Sequence, residues 1–367
     1  MTPPIFRAGR ARLATAVSLG LLALSLTACG GDSDNSSSST DGSSTPSSGT
    51  GAGVTVHLGY FPNLTHATAL VGIEKGYYTD ELTKDGAKLQ TQQFDSGSDT
   101  IEALLAGSLD ATYIGPLPTL TAYQQSKGAT VRVIAGAASG GASLVVKPDI
   151  TSVADLAGKT IATPGAGNTQ DIAARYYLKT QGLNTDTEGG GDLSILPQDN
   201  SVTVQAFQQG DIDGAWVPEP YASILVNEGG KVLVNEADLW PKGQFVTTQL
   251  LVNTDFLKAH PDLVTDLLTA HVESNDLINK SPDEAKQLVK AKLEELTKAT
   301  IPTDVFESAW SQLTFTNDPL ASTLAEDAKH ATDVGLLDPV ENLPGLYDLA
   351  PLNAVLKAAG ESEVASS

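Results

Sequence analysis

The sequence predicts an α/β fold of two similar lobes, followed by a helical C-terminal region. Strand-like runs alternate with helical runs between residues 54 and 252, as in βαβ units around a parallel sheet. A helix–Gly–Asp–strand pattern occurs twice, at residues 101–111 and 204–214. After Asn253 the pattern changes to long helical runs. At 367 residues, the chain is long enough for two such lobes.

The first lobe is predicted from residue 54 onward. Residues 54–59 alternate apolar and polar side chains, which is the period of a strand. Gly76 and Gly107 stand where the first two helices end. The predicted strands are 54–59, 88–94, 111–114 and 131–135, and the predicted helices are 64–75, 100–106 and 119–127.

The same alternation continues to residue 252 and then gives way to helices. The predicted strands are 144–146, 160–163, 193–196, 215–217, 232–234 and 246–252, separated by helices 169–181, 203–209 and 221–227. The predicted C-terminal helices are 260–278, 282–296, 303–312 and 320–334. Residues 360–367 are expected to be frayed.

The internal similarity supports two lobes built alike. Residues 101–111 read IEALLAGSLDA and residues 204–214 read VQAFQQGDIDG. Each segment continues into a strand with an aromatic residue, Tyr113 or Trp216, and then into a Pro-x-Pro sequence. Two such lobes predict a cleft between them, although helix–Gly–Asp–strand segments are also common in α/β folds.

The N-terminal 28 residues have the pattern of a secretory signal peptide. Arg7, Arg10 and Arg12 precede an uncharged, mostly apolar stretch, and Leu-Thr-Ala then precedes Cys29. This is the pattern of a lipobox, whose cysteine becomes the acylated N-terminus of a bacterial lipoprotein and can carry palmitate. The alternative is an ordinary secreted protein in which Cys29 is incidental. Since Cys29 is the only cysteine of the chain, the lipoprotein interpretation is preferred.

Residues 29–53 are predicted to be a flexible linker. Of residues 30–53, 22 are Gly, Ser, Thr, Asp or Asn, so this stretch has almost no apolar surface to bury. Loss of the signal peptide removes three arginines and changes the formal net charge from −22 to −25. A lipid on Cys29, rather than surface charge, must then attach the protein to the outside of the cell membrane.

Charge and composition exclude several functions. A chain with 22 Lys and Arg against 44 Asp and Glu is not expected to bind nucleic acid. One cysteine and five scattered histidines offer no recognisable metal-ligand set. No Gly-x-Ser-x-Gly motif is present, so we expect neither an enzyme nor a cofactor.

The best candidate anion site is the glycine-rich loop at residues 165–169. Its glycines allow close backbone approach, and Asn168 or Thr169 can begin the following helix with its free amides facing a ligand. The loop can equally be an ordinary capped turn. A dinucleotide fingerprint is disfavoured because Gln170 stands where a third glycine is needed. No Arg or Lys occurs in the strand-end loops, so neutral donors would hold an anion, or the ligand is neutral.

Five segments resemble the sulfonate, nitrate and taurine group of substrate-binding proteins of ABC importers. They are LGYFPN at 58–63, IEKGYY at 73–78, LLAGSLDA at 104–111, DLAGKTIA at 155–162 and GDIDGAW at 210–216. The resemblance implies a two-lobed, periplasmic-binding-protein-like fold whose chain crosses between lobes twice. With crossings near 139–141 and 242–244, lobe I comprises 54–138 plus 245–367 and lobe II comprises 139–244.

The resemblance and the strand-end positions together predict the ligand-binding residues. Trp216 is a wall of the cleft or a core residue, and His66 is a donor to an anion or a surface histidine. Glu219 points away, binds a Lys or Arg, or meets an amino group of the ligand. The predicted set is Asn63, Thr65, His66, Ser96, Ser98, Thr119, Gly141, Asn168, Thr169, Trp216, Glu219 and Thr247.

The function expected from the resemblance is delivery of a small organic anion to an ABC permease and its ATPase. An aliphatic sulfonate is the leading ligand, followed by nitrate, taurine and a pyrimidine-type vitamin precursor. A sensory or accessory lipoprotein of the same fold is the alternative.

Overall fold

The computed structural model describes residues 51–365. The predicted signal peptide 1–28, Cys29 and linker residues 30–50 lie outside this range. Residues 51–53 form a turn in which the Val54 amide donates to the Gly51 carbonyl at 2.9 Å. The last three residues of the predicted linker therefore belong to the folded body.

Eleven strands form two sheets within residues 51–365. The predicted strands are all present, with ends that shift by a few residues, and the short strand β11 was not predicted. The strands are β1 Thr55–Tyr60, β2 Lys88–Gln93, β3 Ala111–Ile114, β4 Val131–Gly140, β5 Ala142–Val146, β6 Thr160–Thr163, β7 Ser194–Pro197, β8 Gly214–Pro218, β9 Lys231–Asn235, β10 Val246–Asn253 and β11 Leu313–Phe315.

Thirteen α-helices accompany these strands in the described chain, and α2, α8 and α13 were not predicted. None of the described helices is both long and apolar enough to cross a membrane. The helices are α1 Ala67–Glu74, α2 Tyr77–Lys84, α3 Gly97–Leu105, α4 Pro116–Gln125, α5 Thr169–Thr180, α6 Asn200–Gln209, α7 Tyr221–Asn227, α8 Thr254–Ala259, α9 Pro261–Lys280, α10 Pro282–Thr297, α11 Thr303–Ser311, α12 Ala321–Asp333 and α13 Ala350–Ala359.

Both sheets are mixed, which corrects the prediction of parallel sheets. The larger sheet has the order β2-β1-β3-β10-β4-β11 and the smaller has the order β7-β6-β8-β5-β9. Strands β1, β2 and β3 are parallel, as are β6, β7 and β8. Strands β10 and β5 are antiparallel to both of their neighbours. Each of these two strands enters its sheet from the other one, and so runs against the βαβ direction.

The chain passes between the sheets at two places. The first passage is the single residue Gly141, between β4 and β5, and Gly140 and Gly141 have φ values of 82° and 71°. A Cβ atom on Gly141 would lie 2.4 Å from the Leu313 side chain, so glycine is required there on two grounds. The return runs from β9 to β10 through two 3-10 turns, Glu236–Leu239 and Pro241–Gly243.

The two sheets share one plan around a half-buried aspartate. In the larger sheet, the Asp110 carboxylate accepts from the His57 amide at 2.8 Å. In the smaller sheet, Asp213 accepts from the Thr160 amide at the same distance. These aspartates occupy matching positions of the repeat, and β3 and β8 occupy matching places in the sheet order. The sequence repeat therefore corresponds to a structural repeat.

The C-terminal helices enlarge the core of the larger sheet. Leu267 of α9 and Leu352 of α13 are fully buried with Leu58 of β1. Val364, within the segment predicted to be frayed, is hydrogen-bonded to helix α13. The Val364 amide donates to Asn353 Oδ1 at 2.8 Å, and Asn353 Nδ2 donates to the Val364 carbonyl at 3.0 Å.

Candidate functional site

A small cavity of about 50 Å³ lies where strand ends from both sheets meet. In α/β sheets, ligands bind outside the carboxyl ends of the parallel strands, and β1, β2, β3, β6 and β8 all end beside this cavity. We call it the cleft cavity. It is lined by Phe61, Asn63, Thr65, His66, Asp95, Gly115, Pro118, Pro164, Asn168, Thr169, Gln170, Asn200, Pro218, Thr247 and Thr248.

The N-terminus of helix α5 forms the smaller-sheet wall of the cleft cavity. Asn168 is its N-cap residue, but the Asn168 side chain makes no capping hydrogen bond. The amides of Thr169 and Gln170 have no acceptor inside the helix, because they belong to its first turn. The helix thus presents two amide donors, an uncommitted carboxamide and a positive dipole end to the cavity.

A buried ion pair holds this loop in place. Asp171 accepts from Arg175 Nε at 3.1 Å, from Thr163 Oγ1 at 2.9 Å and from the Gly167 amide at 2.9 Å. The side chains of Asp171 and Arg175 are only 0% and 2% exposed. Because Asp171 pairs with it away from the cavity, Arg175 positions the loop at residues 165–169 and does not supply charge to the cavity.

The opposite wall is formed by the segment after β1. The His66 ring stacks on Phe61 with centroids 4.8 Å apart, and His66 Nδ1 accepts from the Phe61 amide at 3.3 Å. Burial lowers the pKa of His66 to about 3, so the ring is neutral and carries its proton on Nε2. Thr65 Oγ1 donates to Asn63 Oδ1 at 2.5 Å, which orients the Asn63 amide group. These side chains offer neutral donors.

Two buried polar atoms on the cavity wall have no hydrogen-bond partner in the described chain. They are Thr248 Oγ1 and Asn200 Oδ1. Thr248 is fully buried, whereas the neighbouring Thr247 hydroxyl donates to the Gly140 carbonyl at 2.6 Å. Buried polar groups are normally paired, so these two atoms indicate a polar ligand or bound water.

A second cavity of about 210 Å³ adjoins the first, and we call it the outer cavity. It shares Phe61, Asn63, Asp95 and Asn200 with the cleft cavity. Asp199 and Tyr221 also line it. Burial, together with the negative charges of Asp95 and Asp199, raises the pKa of Tyr221 to about 12. The outer cavity therefore has an acidic wall, to which each sheet contributes one carboxylate.

No Lys or Arg of the described chain lines either cavity. An anionic group at α5 would be held by amide, carboxamide, hydroxyl and neutral imidazole donors, which is chemically sufficient when several converge. A cationic or hydrogen-bond-donating group would fit beside Asp95 and Asp199. The two cavities together suit a short ligand with chemically different ends.

Six of the predicted binding residues line the cleft cavity: Asn63, Thr65, His66, Asn168, Thr169 and Thr247. Four other predicted residues lie elsewhere for local reasons. Ser96 and Ser98 bond to each other at 2.6 Å on the surface, before and within α3. Thr119 is fully buried and donates back to the Gly115 carbonyl, and Gly141 is the passage between the sheets.

Trp216 and Glu219 line neither the cleft cavity nor the outer cavity. Trp216 is fully buried in the smaller-sheet core, where its Nε1 donates to Glu236 Oε2 at 2.7 Å, so it is not a wall of the cleft. Glu219 is 3% exposed and accepts from the Ser223 amide and hydroxyl, each at 3.0 Å. Its carboxylate therefore accepts hydrogen bonds from the first turn of helix α7. Burial raises the pKa of this carboxyl group to about 7.

The Glu219 backbone nevertheless connects the two sides of the cleft. The Leu64 amide, next to Asn63, donates to the Glu219 carbonyl at 3.2 Å. The Glu219 amide donates to the Gly141 carbonyl at 2.8 Å. The loop after β8 is thus hydrogen-bonded through its main chain to the β1 side of the cleft and to the first passage.

Sequence reasoning missed Asp95, Asn200 and Thr248. Asp95 directly follows the predicted strand at residues 88–94, so its position was a usable signal. Asn200 lies at the first turn of α6, which was predicted to begin only at residue 203. Thr248 reaches the cavity because β10 inserts between β3 and β4, and no local pattern encodes that pairing.

The comparisons with known proteins bear on the family and on the fold. The chain is 28% identical over 200 residues to the taurine-binding periplasmic protein of Escherichia coli, covering 54% of this chain and 60% of that protein's length. It is 29% identical over 247 residues to a putative aliphatic sulfonates-binding protein of Bacillus subtilis. This match covers 64% of this chain and 70% of that protein's length. The structure of the periplasmic nitrate-binding protein of Synechocystis PCC 6803 superposes with a TM-score of 0.72 at 17% sequence identity. The superposition covers 84% of this chain and 90% of that one.

The fold is that of a two-lobed α/β binding protein of the periplasmic type, with a helical C-terminal region. Residues 50–293, about two thirds of the chain, match the NMT1-like family. The chain belongs to that family, and the resemblance seen in its sequence is confirmed.

Proposed function

We propose that this protein is the extracytoplasmic substrate-binding component of an ABC importer, and that its ligand is a small organic anion, foremost an aliphatic sulfonate. Taurine-binding and aliphatic sulfonates-binding relatives support this substrate class. The observation that carries the proposal is the uncapped N-terminus of α5, which faces a cavity whose polar atoms Thr248 Oγ1 and Asn200 Oδ1 have no partner.

The sulfonate head is assigned to the cleft cavity. Three sulfonate oxygens need several donors, and the Thr169 and Gln170 amides, the Asn168 carboxamide and the His66 Nε2–H can supply them. The small volume of this cavity, about 50 Å³, suits a head group rather than a whole ligand. The alkyl part would extend into the outer cavity beside Phe61.

An amino-sulfonate such as taurine is the second candidate, and Asp95 and Asp199 favour it. An ammonium group in the outer cavity would face two carboxylates, whereas an unsubstituted alkyl chain would leave them unused. Nitrate has no tail to occupy the outer cavity, and a pyrimidine-type precursor exceeds the cleft cavity. Both therefore rank below the sulfonates.

Closure of the lobes around the ligand is the proposed mechanism. We assign residues 54–138 plus 245–367 to lobe I and residues 139–244 to lobe II. A hinge at Gly140–Gly141 and residues 236–245 would let lobe II rotate as a body. The ligand touches donors from both lobes, so it binds the closed state more tightly and shifts the equilibrium toward it. The permease would distinguish the closed surface from the open one.

Transport is preferred over catalysis and over a sensory role. The taurine-binding and aliphatic sulfonates-binding relatives are binding proteins, which supports a binding role over a catalytic one. A sensory lipoprotein would use the same cleft and hinge. Loss of sulfonate uptake on deletion of the gene, with growth on other sulfur sources intact, would identify the transport role.

The ligand is tested by calorimetry of the purified full chain with ethanesulfonate, taurine, nitrate and a hydroxymethylpyrimidine. Binding of ethanesulfonate or taurine is expected, and saturation should reduce the radius of gyration measured by small-angle scattering. Asn168→Ala should weaken binding by about 1.5–3 kcal/mol, because it removes a donor to a charged group.

The matched control is Asn227→Ala, at the exposed end of α7 and outside both cavities. It should leave affinity unchanged. Since the Asn168 side chain makes no capping bond, Asn168→Ala should also leave the melting temperature of the ligand-free protein unchanged. Unchanged affinity in Asn168→Ala, or no binding of any sulfonate, would contradict the proposal.

The membrane anchor belongs to the same proposal: cleavage after residue 28 and acylation of Cys29. Cys29→Ser is expected to release the protein into the medium or leave it unprocessed, as seen by fractionation. Membrane retention and processing equal to wild type would contradict it.

A further inference from the structure

A third cavity of about 390 Å³ adjoins the outer cavity, and we call it the distal cavity. Its size falls within the range of about 300–1,000 Å³ that is typical of small-molecule sites. It shares no lining residue with the cleft cavity, so the outer cavity lies between the other two. The outer and distal cavities share four lining residues: Pro62, Ser201, Tyr221 and Thr297. The three cavities therefore form one row that begins at the N-terminus of α5.

Apolar side chains from both proposed lobes form most of the wall of the distal cavity. Helices α6 and α7 contribute from one side, and α10, α11 and the segment between them contribute from the other. No Lys or Arg of the described chain lines this cavity, and its one acidic residue, Glu228, is exposed. The apolar lining residues include Val204, Ile224, Leu293, Ile301, Pro302 and Val305. The distal cavity therefore suits an uncharged hydrocarbon group.

The segment between α10 and α11 gives this wall a defined shape. The Ile301 amide donates to Glu294 Oε1 at 2.9 Å, and Lys290 Nζ donates to the same oxygen at 2.7 Å. The side chains of Leu293, Ile301 and Val305 are buried and belong to the core of the larger sheet. The apolar wall is therefore a part of the folded core that an occupant can contact, and it does not depend on the position of an exposed side chain.

The outer cavity, in the middle of the row, is the acidic one. Asp95 follows β2 and Asp199 is the N-cap residue of α6, where its side chain makes no capping hydrogen bond. No Lys or Arg of the described chain lines this cavity, so both carboxylates border it without a counter-charge there. The charges of both reach Tyr221, which lines the outer and the distal cavity alike. A cationic group is therefore favoured in the middle of the row, between a place for an anion and a place for hydrocarbon.

We propose that the ligand is an N-substituted amino-sulfonate, with its sulfonate in the cleft cavity, its ammonium in the outer cavity and an apolar N-substituent in the distal cavity. This inference rests on the proposed function and narrows its substrate class. The amine has to be secondary or tertiary, because a ligand that continues into the distal cavity carries a second carbon chain on its nitrogen. Taurine would leave the distal cavity empty, and an alkanesulfonate would leave the two carboxylates without a counter-charge.

The test uses calorimetry of the purified full chain at pH 7 with three probes: taurine, N-cyclohexyltaurine and 3-cyclohexylpropanesulfonate. N-cyclohexyltaurine should bind at least about tenfold more tightly than taurine, because each buried methylene group contributes about fourfold. It should also bind about two- to fivefold more tightly than 3-cyclohexylpropanesulfonate, in which a methylene group replaces the ammonium, since the attraction of exposed carboxylates is modest.

Two variants locate the parts of the ligand. Val204→Trp fills the distal cavity from α6 and should remove most of the advantage of N-cyclohexyltaurine over taurine. Its matched control is Val202→Trp, on the same helix, 49% exposed and outside all three cavities, which should keep that advantage. Asp199→Asn should reduce the preference for the ammonium compound over its methylene analogue, whereas Asp211→Asn, exposed beyond the other end of α6, should not.

Ile224→Ser removes apolar surface from the distal cavity and serves as a second variant, in case Val204→Trp does not fold. Taurine binding as tightly as N-cyclohexyltaurine, or an advantage that persists in both variants, would overturn the inference. Equal affinity for the ammonium compound and its methylene analogue would overturn it as well. Binding of taurine without any gain from the cyclohexyl group would contradict this inference alone, whereas failure of all three sulfonates to bind would contradict the proposed function itself.

Discussion

The two sheets share a framework and differ in how their buried polar groups are balanced. Each has three parallel strands, an inserted antiparallel strand and an aspartate that accepts from the neighbouring strand's amide. The larger sheet builds its cavity wall on neutral groups, with the His66 ring against the Phe61 amide. The smaller sheet builds its wall on a buried ion pair, Asp171 with Arg175. The two halves of the repeat thus have the same strand arrangement. The side chains that support the loops lining the cleft cavity differ between the two halves.

The matched aromatic residues show the same difference. Tyr113 of β3 and Trp216 of β8 occupy equivalent positions, and both are fully buried. The Tyr113 hydroxyl lies 2.5 Å from the Tyr78 hydroxyl and 2.6 Å from His271 Nδ1, which are neutral partners. Trp216 instead donates to the Glu236 carboxyl group. Substitutions in the smaller half therefore risk exposing an unpaired buried charge.

The largest effect is expected from Asp171→Asn. It leaves the Arg175 guanidinium buried without a counter-charge, which should lower the free energy of unfolding by about 3–5 kcal/mol in urea titrations. The control is Asp276→Asn, because Asp276 and Lys280 form an ion pair of the same i,i+4 spacing that is 34% and 67% exposed. The control should cost no more than about 1 kcal/mol. Equal losses of unfolding free energy in Asp171→Asn and Asp276→Asn would mean that the buried ion pair does not stabilise the loop at residues 165–169.

A smaller difference should separate the matched aromatic residues. Trp216→Phe removes a donor from a buried carboxyl group and also some core volume, so it should cost about 2–4 kcal/mol of unfolding free energy. Tyr113→Phe should lower the free energy of unfolding by about 1–3 kcal/mol, because the neutral groups Tyr78 Oη and His271 Nδ1 each lose a hydrogen-bond partner. Neither change should alter sulfonate affinity, measured by calorimetry. A large loss of sulfonate affinity in Trp216→Phe would indicate that Trp216 contacts the ligand, contrary to its core position.

The case of Trp216 shows where sequence reasoning stops. The strands and most helices were predictable, because Gly76, Gly107 and Gly210 end helices and the apolar runs between them are local signals. All five residues of β8 are buried, so no period-2 pattern indicates which face Trp216 takes. Similarly, Thr119 follows a strand end, but its hydroxyl returns to its own helix, as threonines in helices commonly do.

The candidate site was predictable where a loop follows a parallel strand directly. Asn63, Asn168 and Thr169 are such cases, and all three line the cleft cavity. Residues brought in by non-local pairing were not predictable, as Thr248 on the inserted strand β10 shows. The antiparallel character of β10 and β5 was missed for the same reason, because it depends on the order in which the chain visits the two sheets.

An effect of about the same size as that of Tyr113→Phe is expected in the pH dependence of stability, with opposite sign in the two halves. The pKa of Glu219 is raised to about 7 in the folded protein, so the folded state binds more protons than the unfolded state above about pH 4.5. Its contribution to stability is therefore lost as pH rises toward 7. Between pH 5 and 7.5, Glu219→Gln should gain about 2 kcal/mol of unfolding free energy relative to wild type.

The histidines of the larger half act in the other direction. Burial lowers the pKa of His66 to about 3 and that of His271 to about 4, so the unfolded state binds more protons below about pH 6.5. Wild-type stability should therefore also fall on acidification, and this fall should persist in Glu219→Gln. Parallel pH profiles of the variant and wild type in urea titrations would rule out the assigned role of Glu219.

The hydrogen bond from the Leu64 amide to the Glu219 carbonyl has a consequence for the opening of the cleft. Both of its atoms belong to the main chain, so no substitution other than proline at residue 64 deletes it. Side chains around the cleft can therefore be substituted without removing this link between the two rims. Opening of the proposed lobes, in contrast, has to break it, so the open state gives up at least this one main-chain hydrogen bond.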